Sequence, residues 1–279
     1  ETLEKIALYE DLLSHRSSMA KMIIKELTEF KKSYGRPRRT VVDNLAEAVV
    51  EEKPIEEKDV VFLMDRFGYA KTIDVSIYER NKETADSENR YAFVCKNTDK
   101  ICIFTNVGQL HTIKVLDLPA GRLKDKGTPI DNLSNYDSKN ESYIYISSLQ
   151  NIASGKVVFG TKQSMIKLVD GSEFVGAKKT TAATKLADGD ELITVRPLKG
   201  NETMVMRSEK EVFLRIECAT IPEKKKSAVG VRGMKLDKND LLKDIYVLGD
   251  GENETIEVKG KELALNRLHI GNRDTKGVK

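Results

Sequence analysis

No run of 18 or more apolar residues occurs in the 279-residue chain, which excludes a membrane-spanning helix. The first stretch, ETLEKIALYEDLL, is charged and has no apolar core, so it is no secretory signal. The chain also begins without Met, as a piece of a longer protein would. Cys95, Cys102 and Cys218 are too few and too irregularly spaced for a disulfide framework or a CxxC metal site; they read as reduced strand residues. His15, His111 and His269 stand far apart and share no short motif with each other or with a cysteine, which argues against a zinc site. Aromatics are scarce at 6%, yet 39% hydrophobic content supports a core, and 33% charged residues give a well-solvated surface. The length fits one large domain or two ordinary ones.

Residues 1–34 follow a helical pattern. Leu3, Ile6 and Leu13, then Met19, Met22, Ile23, Leu27 and Phe30, keep the 3/4 spacing of amphipathic helices. SHRSS (14–18) supplies a break, with Ser17 or Ser18 expected as the N-cap. The second helix is expected to stop at YGRPRR (34–39), since Gly35 suits a C-cap and Pro37 cannot continue a helix. DNLAEAVVEEKPIEEKD (43–59) is acidic, contains a proline and has linker composition. The expected organisation is a helical segment over 1–42, an acidic linker over 43–58 and a β domain over 59–279.

From Asp59 onward the apolar period becomes two. Five hairpin-like stretches occur: DVVFLMDRFGYAKTIDV (59–75), KICIFTNVGQLHTIKV (100–115), KVVFGTKQSMIKLVD (156–170), ETMVMRSEKEVFLRIE (202–217) and ETIEVKGKELALNRL (254–268). They recur at a period of about 50 residues, and only the first two turns carry the expected glycine, Gly68 and Gly108. A second signature follows hairpins, in KGTPIDNL (126–133), VGVRGMKL (229–236) and TKGVK (275–279). A third precedes the next hairpin, in LADGDELITV (186–195) and LDKNDLLKDIYV (236–247). Hairpins alone would suit any all-β domain. Three signatures returning in one order mean repeated blades, each unable to bury both faces of its sheet without neighbours. The expected fold is mainly β: a propeller-like array of about five blades. Unequal spacings argue against an ideally symmetric ring, and an incomplete last blade is expected.

This combination resembles the C-terminal part of the A subunit of bacterial type IIA topoisomerases, DNA gyrase and topoisomerase IV. Residues 1–40, ending in YGRPRRT, are similar to the returning helices of the family's coiled-coil arm. Residues 59–279 resemble its β-pinwheel, in which strands are exchanged between neighbouring blades. The matching stretches are VVFLMDRFGYAK, IFTNVGQLHTIKVLDLP, KGTPIDNL, LADGDELITV and GVRGMKL. The resemblance implies a module that binds double-stranded DNA without sequence preference and bends or wraps it, presenting segments for strand passage. It also implies a cytoplasmic, nucleoid-associated parent that is an ATP-dependent type II topoisomerase. The partners so implied are double-stranded DNA, an ATPase B subunit and, in the heterotetramer, another copy of the parent chain. ATP and Mg2+ would be used through other domains, so no cofactor is expected in this segment.

From Asp59 onward Lys and Arg exceed Asp and Glu by only four, so the distribution of charge matters more than its total. Basic residues recur at hairpin exits: Lys71, Lys114, Lys167, Arg215 and Arg267. Others cluster in the loops that follow: Arg122, Lys124 and Lys126; Lys178 and Lys179; Lys224, Lys225 and Lys226; Arg232 and Lys235; Arg273 and Lys276. On blades, equivalent positions recur around the rim, so these are the candidate DNA-binding residues, forming a track that positions a duplex rather than reads it. GVRG (230–233) is read as a blade-joining turn rather than a nucleotide loop. A propeller-type protein scaffold, with these cations merely solvated, is the alternative.

Gyrase A subunits share a box in the first blade: Gln, a basic pair, two glycines, a basic residue, Gly and an acid. The matching region here, YERNKETADSENRYAF (78–93), has no glycine, and none occurs from Tyr69 to Val107. Its Arg80, Lys82 and Arg90 are diluted by Glu79, Glu83, Asp86 and Glu88. In the family the box allows full wrapping for negative supercoiling, so its absence implies a topoisomerase IV-like protein. The family cuts DNA with a tyrosine that follows an arginine. Arg90–Tyr91 is the only such pair here, but it precedes the strand-like AFVCKN and lacks the family's context. It is read as a chance dipeptide, and the segment as non-catalytic on its own.

Overall fold

The computed structural model describes residues 1–37, 40 and 55–279. It divides into two units, Glu1–Pro54 and Ile55–Lys279. Most of the acidic linker expected at 43–58 lies outside the described residues.

The first unit contains α1 (Thr2–Ser14) and α2 (Arg16–Tyr34). The break falls at extended His15, not at the serines; Ser17 and Ser18 lie inside α2, and no side chain caps its N-terminus. Ser14 instead turns its hydroxyl back to the Glu10 carbonyl at 2.6 Å. The second helix does stop at Gly35, whose N–H bonds to the Lys31 carbonyl. Neither helix buries a residue, and Leu3, Ile6, Leu13, Met22, Ile23 and Phe30 are all exposed.

The second unit runs through β1 (Asp59–Asp65), β2 (Tyr69–Asp74), α3 (Val75–Arg80), α4 (Lys82–Glu88), β3 (Asn89–Lys96), β4 (Lys100–Thr105), β5 (Gln109–Lys114), β6 (Thr128–Pro129), β7 (Tyr143–Ser148), β8 (Lys156–Thr161), β9 (Met165–Asp170), β10 (Thr180–Ala182), β11 (Leu192–Pro197), β12 (Thr203–Ser208), β13 (Phe213–Glu217), β14 (Val231–Arg232), β15 (Leu242–Leu248), β16 (Thr255–Val258) and β17 (Lys261–Ala264). They form five sheets, ordered β3-β1-β2-β6, β10-β5-β4-β7, β11-β8-β9-β14, β13-β12-β15 and β16-β17. Each hairpin seen in the sequence belongs to one sheet: it is the centre of the first three, lies at one edge of the fourth and makes up the fifth. The third signature supplies the outer strands β11 and β15. The second supplies strands handed to the preceding sheet: β6 pairs with β2, β14 with β9, and Val278 bridges back to Phe213.

One exchanged strand carries no mark in the sequence. β10, in TTA, pairs with β5 but has Lys179, not a glycine, directly before it. The hairpin turns also need less glycine than expected. Ser164 and Glu211 take positive φ, 65° and 58°, where the first two turns use Gly68 and Gly108. The fifth turn, expected to lack a glycine, does contain one, Gly260, beside positive-φ Lys259.

Burial is near-continuous along the central strands, more than the period of two read from Asp59 onward implies. In β4, Ile101 and Ile103 pack with Val60, Phe62 and Met64 of the first sheet. Alternate residues Cys102 and Phe104 pack with Val157 and Phe159 of the third. Val158 then meets Met204 and Met206, and Val205 meets Leu265 with Ile256 and Leu263. Every interior blade therefore has two covered faces. The first blade's other face is covered by its own insertion: Val61, Leu63 and Ile73 pack with Ala85 of α4 and with Val75, Ile77 and Tyr78 of α3. Asp74 caps α3 by accepting from the Ser76 N–H at 2.9 Å. The region matched to the gyrase box (78–93) thus holds the end of α3, all of α4 and the start of β3.

The cysteines occupy these packed strands. Cys95, Cys102 and Cys218 are free and buried, and burial pushes each thiol up to about 12. Native protein is expected to resist a thiol reagent at pH 8, with all three sites reacting in denaturant. Fast native labelling, followed by absorbance, would contradict the packing.

Candidate nucleic-acid interface

The cations expected at hairpin exits divide into two groups. Lys71 and Lys167 occupy equivalent places in β2 and β9, paired with Leu63 and Phe159 across their hairpins. Both are buried, at 7% and 1% exposure. Lys71 Nζ donates to the carbonyls of Leu123 and Asp125. Lys167 Nζ donates to those of Lys225 (3.1 Å), Lys226 (2.9 Å) and Ala228 (2.6 Å), using all three of its N–H bonds. Burial lowers Lys71 from the ordinary lysine range, against the opposing carboxylates of Asp125, Glu88 and Asp65. Burial pushes Lys167 down to about 8, opposed by Glu173. Arg215 is half-buried and donates to Asn266 O, to Leu268 O and to Thr203 Oγ1. Lys71, Lys167 and Arg215, expected to meet phosphates, thus direct donors to backbone and side-chain oxygens inside the fold. Lys114 and Arg267 remain exposed.

The loop cations are placed differently. Each loop follows one hairpin and lies along the second strand of the hairpin before it. Thr72 N–H donates to Pro119 O and Gly121 N–H to Thr72 O; Leu168 N–H donates to Pro222 O and Lys224 N–H to Leu168 O. Thr112 donates to Lys179 O and Lys178 O, and Gly271 N–H to Arg215 O. Arg122, Lys124 and Lys126 are exposed on the first of these loops, Lys178 and Lys179 on the second, and Lys224 and Lys225 on the third. Lys126 holds its ammonium 4.5 Å from the centre of the Tyr69 ring. Lys226 is less available, because it is half-buried and its Nζ donates to Glu173 O at 2.8 Å. Lys235 is exposed. Arg232 pairs with Asp274 at 3.4 Å, Lys276 pairs with Asp237 at 3.1 Å, and Arg273 donates to Arg232 O.

Two long loops end at glycines that the geometry requires. Gly127 and Gly230 have φ of 70° and 107°, and a Cβ there would lie 2.6 Å from Ala70 O and 2.7 Å from Ile166 O. The GVRG stretch is accordingly a loop end followed by the exchanged strand β14. In the second blade His111 holds the place of the buried lysines, with Nε2 2.9 Å from Glu141 Oε1 and Nδ1 3.1 Å from Thr180 Oγ1. Arg90 lays its guanidinium over the Tyr143 ring, 4.9 Å from its centre, and burial raises the Tyr91 phenol. A phenol so shifted is the opposite of an activated nucleophile.

Comparison with known proteins agrees with this architecture. Residues 155–199 and 208–248, covering the third hairpin and much of the fourth repeat, match the family model of the DNA gyrase C-terminal domain, beta-propeller. The solved C-terminal domain of DNA topoisomerase IV superposes with a TM-score of 0.70 at 20% identity, covering 80% of this chain and 73% of that one. A DNA gyrase A C-terminal domain superposes at 0.54 with 16% identity, covering 79% and 76%. The fold is that of a β-propeller of the gyrase C-terminal type. Across its full length the chain is 26% identical over 298 residues to the DNA gyrase A protein of Lawsonia intracellularis (strain PHE/MN1-00), covering 36% of that protein. It is 27% identical to that of Staphylococcus epidermidis (strain ATCC 12228 / FDA PCI 1200), covering 33%. The resemblance read from the motifs holds as a likeness: the chain is similar in sequence to the C-terminal part of these DNA gyrase A proteins, and its fold is like that of the topoisomerase IV and gyrase C-terminal domains. It spans about a third of the curated relatives it matches.

Proposed function

We propose that the β domain binds duplex DNA without sequence preference and bends it across successive blades, as the accessory module of an ATP-dependent type IIA topoisomerase. The observation that carries this is the equivalent anchoring of cationic loops on successive hairpins: Arg122, Lys124 and Lys126, then Lys178 and Lys179, then Lys224 and Lys225. Such a row meets phosphates at intervals along a curve and reads no base edge. In the parent protein the module presents DNA segments for strand passage in the cytoplasm, beside a second copy of the parent chain and its ATPase partner.

Helices α3 and α4 favour topoisomerase IV-like action. They fill the box region with a folded cover for the first sheet, and their acids Glu79, Glu83, Asp86 and Glu88 outnumber Arg80 and Lys82. With its ATPase partner, the full-length parent is then expected to decatenate more efficiently than it supercoils.

A duplex-length series tests the proposal. Bending a short site costs on the order of 1–6 kcal/mol, which interactions on several blades must offset. Affinity per site should therefore rise steeply once the duplex spans several blades, with no change between sequences of equal length. Affinity independent of length would remove the bending, and absence of duplex binding would leave a protein-interaction scaffold.

A further inference from the structure

We infer that Lys71 and Lys167 are positioning residues for DNA binding: each is a buried ammonium that holds the backbone of a surface loop so that the loop's own cations face outward. The inference rests on the DNA-binding function proposed above and names residues that act without touching DNA.

The two sites superimpose in register. Relative to the strand hydrogen bonds that anchor each loop, Leu123 and Asp125 correspond to Lys226 and Ala228, and these four supply carbonyls to the two ammoniums. Between the acceptors the chain makes the same tight turn, Asp125 N–H to Arg122 O in one loop and Ala228 N–H to Lys225 O in the other, both about 3 Å. Arg122 and Lys225 thereby occupy the same exposed position. Both loops end at a positive-φ glycine packed on the hairpin strand.

Where the lysine is missing, the loop differs. The segment between the third hairpin and β10 (171–179) is shorter than its counterparts at 115–127 and 218–230, and His111 in the second blade meets side chains of Glu141 and Thr180 rather than loop carbonyls. In the fourth blade Leu214 follows Phe213, the partner of Val278, as Lys71 follows Ala70 and Lys167 follows Ile166. The loop 268–277 there has only Arg215, which reaches earlier carbonyls, Asn266 and Leu268.

The charge is the telling feature. Inward carbonyls could be satisfied by a neutral donor, yet the third loop places a buried ammonium beneath Lys224, Lys225 and Lys226. Like charges so close oppose one another, and the arrangement suits a loop whose outer face meets a polyanion. Turning the carbonyls inward removes their partial negative charge from that outer face.

The test uses the whole chain and four proteins: wild type, Lys167→Met, Lys224→Ala/Lys225→Ala, and all three changes together. Two readouts are taken, amide hydrogen exchange across 221–230 and the salt dependence of duplex binding, on protein shown to be folded by circular dichroism. Lys167→Met should speed exchange in 221–230 while leaving 268–277 unchanged. It should also flatten the slope of log K against log salt by about 0.9 for each phosphate no longer neutralised, as the double alanine variant does. Adding Lys167→Met to that variant should weaken binding no further, because both act on the same phosphates. Unchanged exchange, an unchanged slope or additive losses would each overturn the inference. A wild-type chain that binds no duplex would overturn the DNA-binding function beneath it, whatever the exchange shows. If Lys167→Met does not fold, Lys71→Met is read in the same way against Arg122→Ala/Lys124→Ala, with exchange followed over 118–127.

Discussion

Phe104→Ala is expected to cost about 3–5 kcal/mol of stability, at the upper end for a single truncation in this core. Phe104 is fully buried where the second blade meets the third. Its ring stands edge-on to Phe159 and Phe174, with centres 5.9 and 5.6 Å away. Truncation removes both aromatic pairs and leaves a cavity that two rigid sheets cannot close. In a stacked array each blade is stabilised by its neighbours, so weakening one interface should also divide the unfolding transition. Urea unfolding followed by circular dichroism would show a lower midpoint and a second step. A loss below about 1 kcal/mol, with one cooperative transition, would contradict the blade-on-blade core.

Replacing Lys224, Lys225 and Lys226 together is expected to weaken DNA binding to all sequences alike. The three lysines should share that effect unevenly. Lys224 and Lys225 are exposed on the anchored loop, whereas the Lys226 ammonium already donates to Glu173 O. Most of the loss should therefore come from the first two, and Lys226→Ala alone should act mainly on the loop's packing against Glu173 and Phe174. Lys82, exposed at the start of α4 among acids, should contribute little.

Much of the architecture was legible in the sequence because strand exchange leaves local marks. KGTP, GVRG and TKGV each put a glycine where the returning chain crosses close to a hairpin strand, and the structure places Gly127, Gly230 and Gly277 against carbonyls of Ala70, Ile166 and Phe213. TTA lacks that glycine and went unseen. The roles of the hairpin-exit cations were not legible. YAKTID and MIKLVD read as strands with a solvated lysine, and an alternating pattern does not say whether a lysine ends in water or among carbonyls 52 to 61 residues away. One hint was present. Lys71 and Lys167 have apolar or β-branched neighbours on both sides, as expected of a strand whose two faces are covered. The helices α3 and α4 were hidden for a different reason. Measured against the gyrase box, residues 78–93 looked like a degraded loop, while the apolar set Val75, Ile77, Tyr78 and Ala85 carried the helical signal.

The central claim is that exposed loop cations, not a pocket, hold the duplex, and a salt titration tests it most directly. Fluorescence anisotropy of a labelled duplex would be measured at several salt concentrations for wild type, for Lys224→Ala/Lys225→Ala/Lys226→Ala and for Lys82→Ala. With about four to six phosphates neutralised, log K should fall with log salt at a slope of roughly −4 to −5. The triple variant should bind more weakly with a flatter slope, and Lys82→Ala should follow wild type. Binding that ignores salt, or a Lys82 change that costs more than the triple change, would place the DNA on another surface and contradict the account.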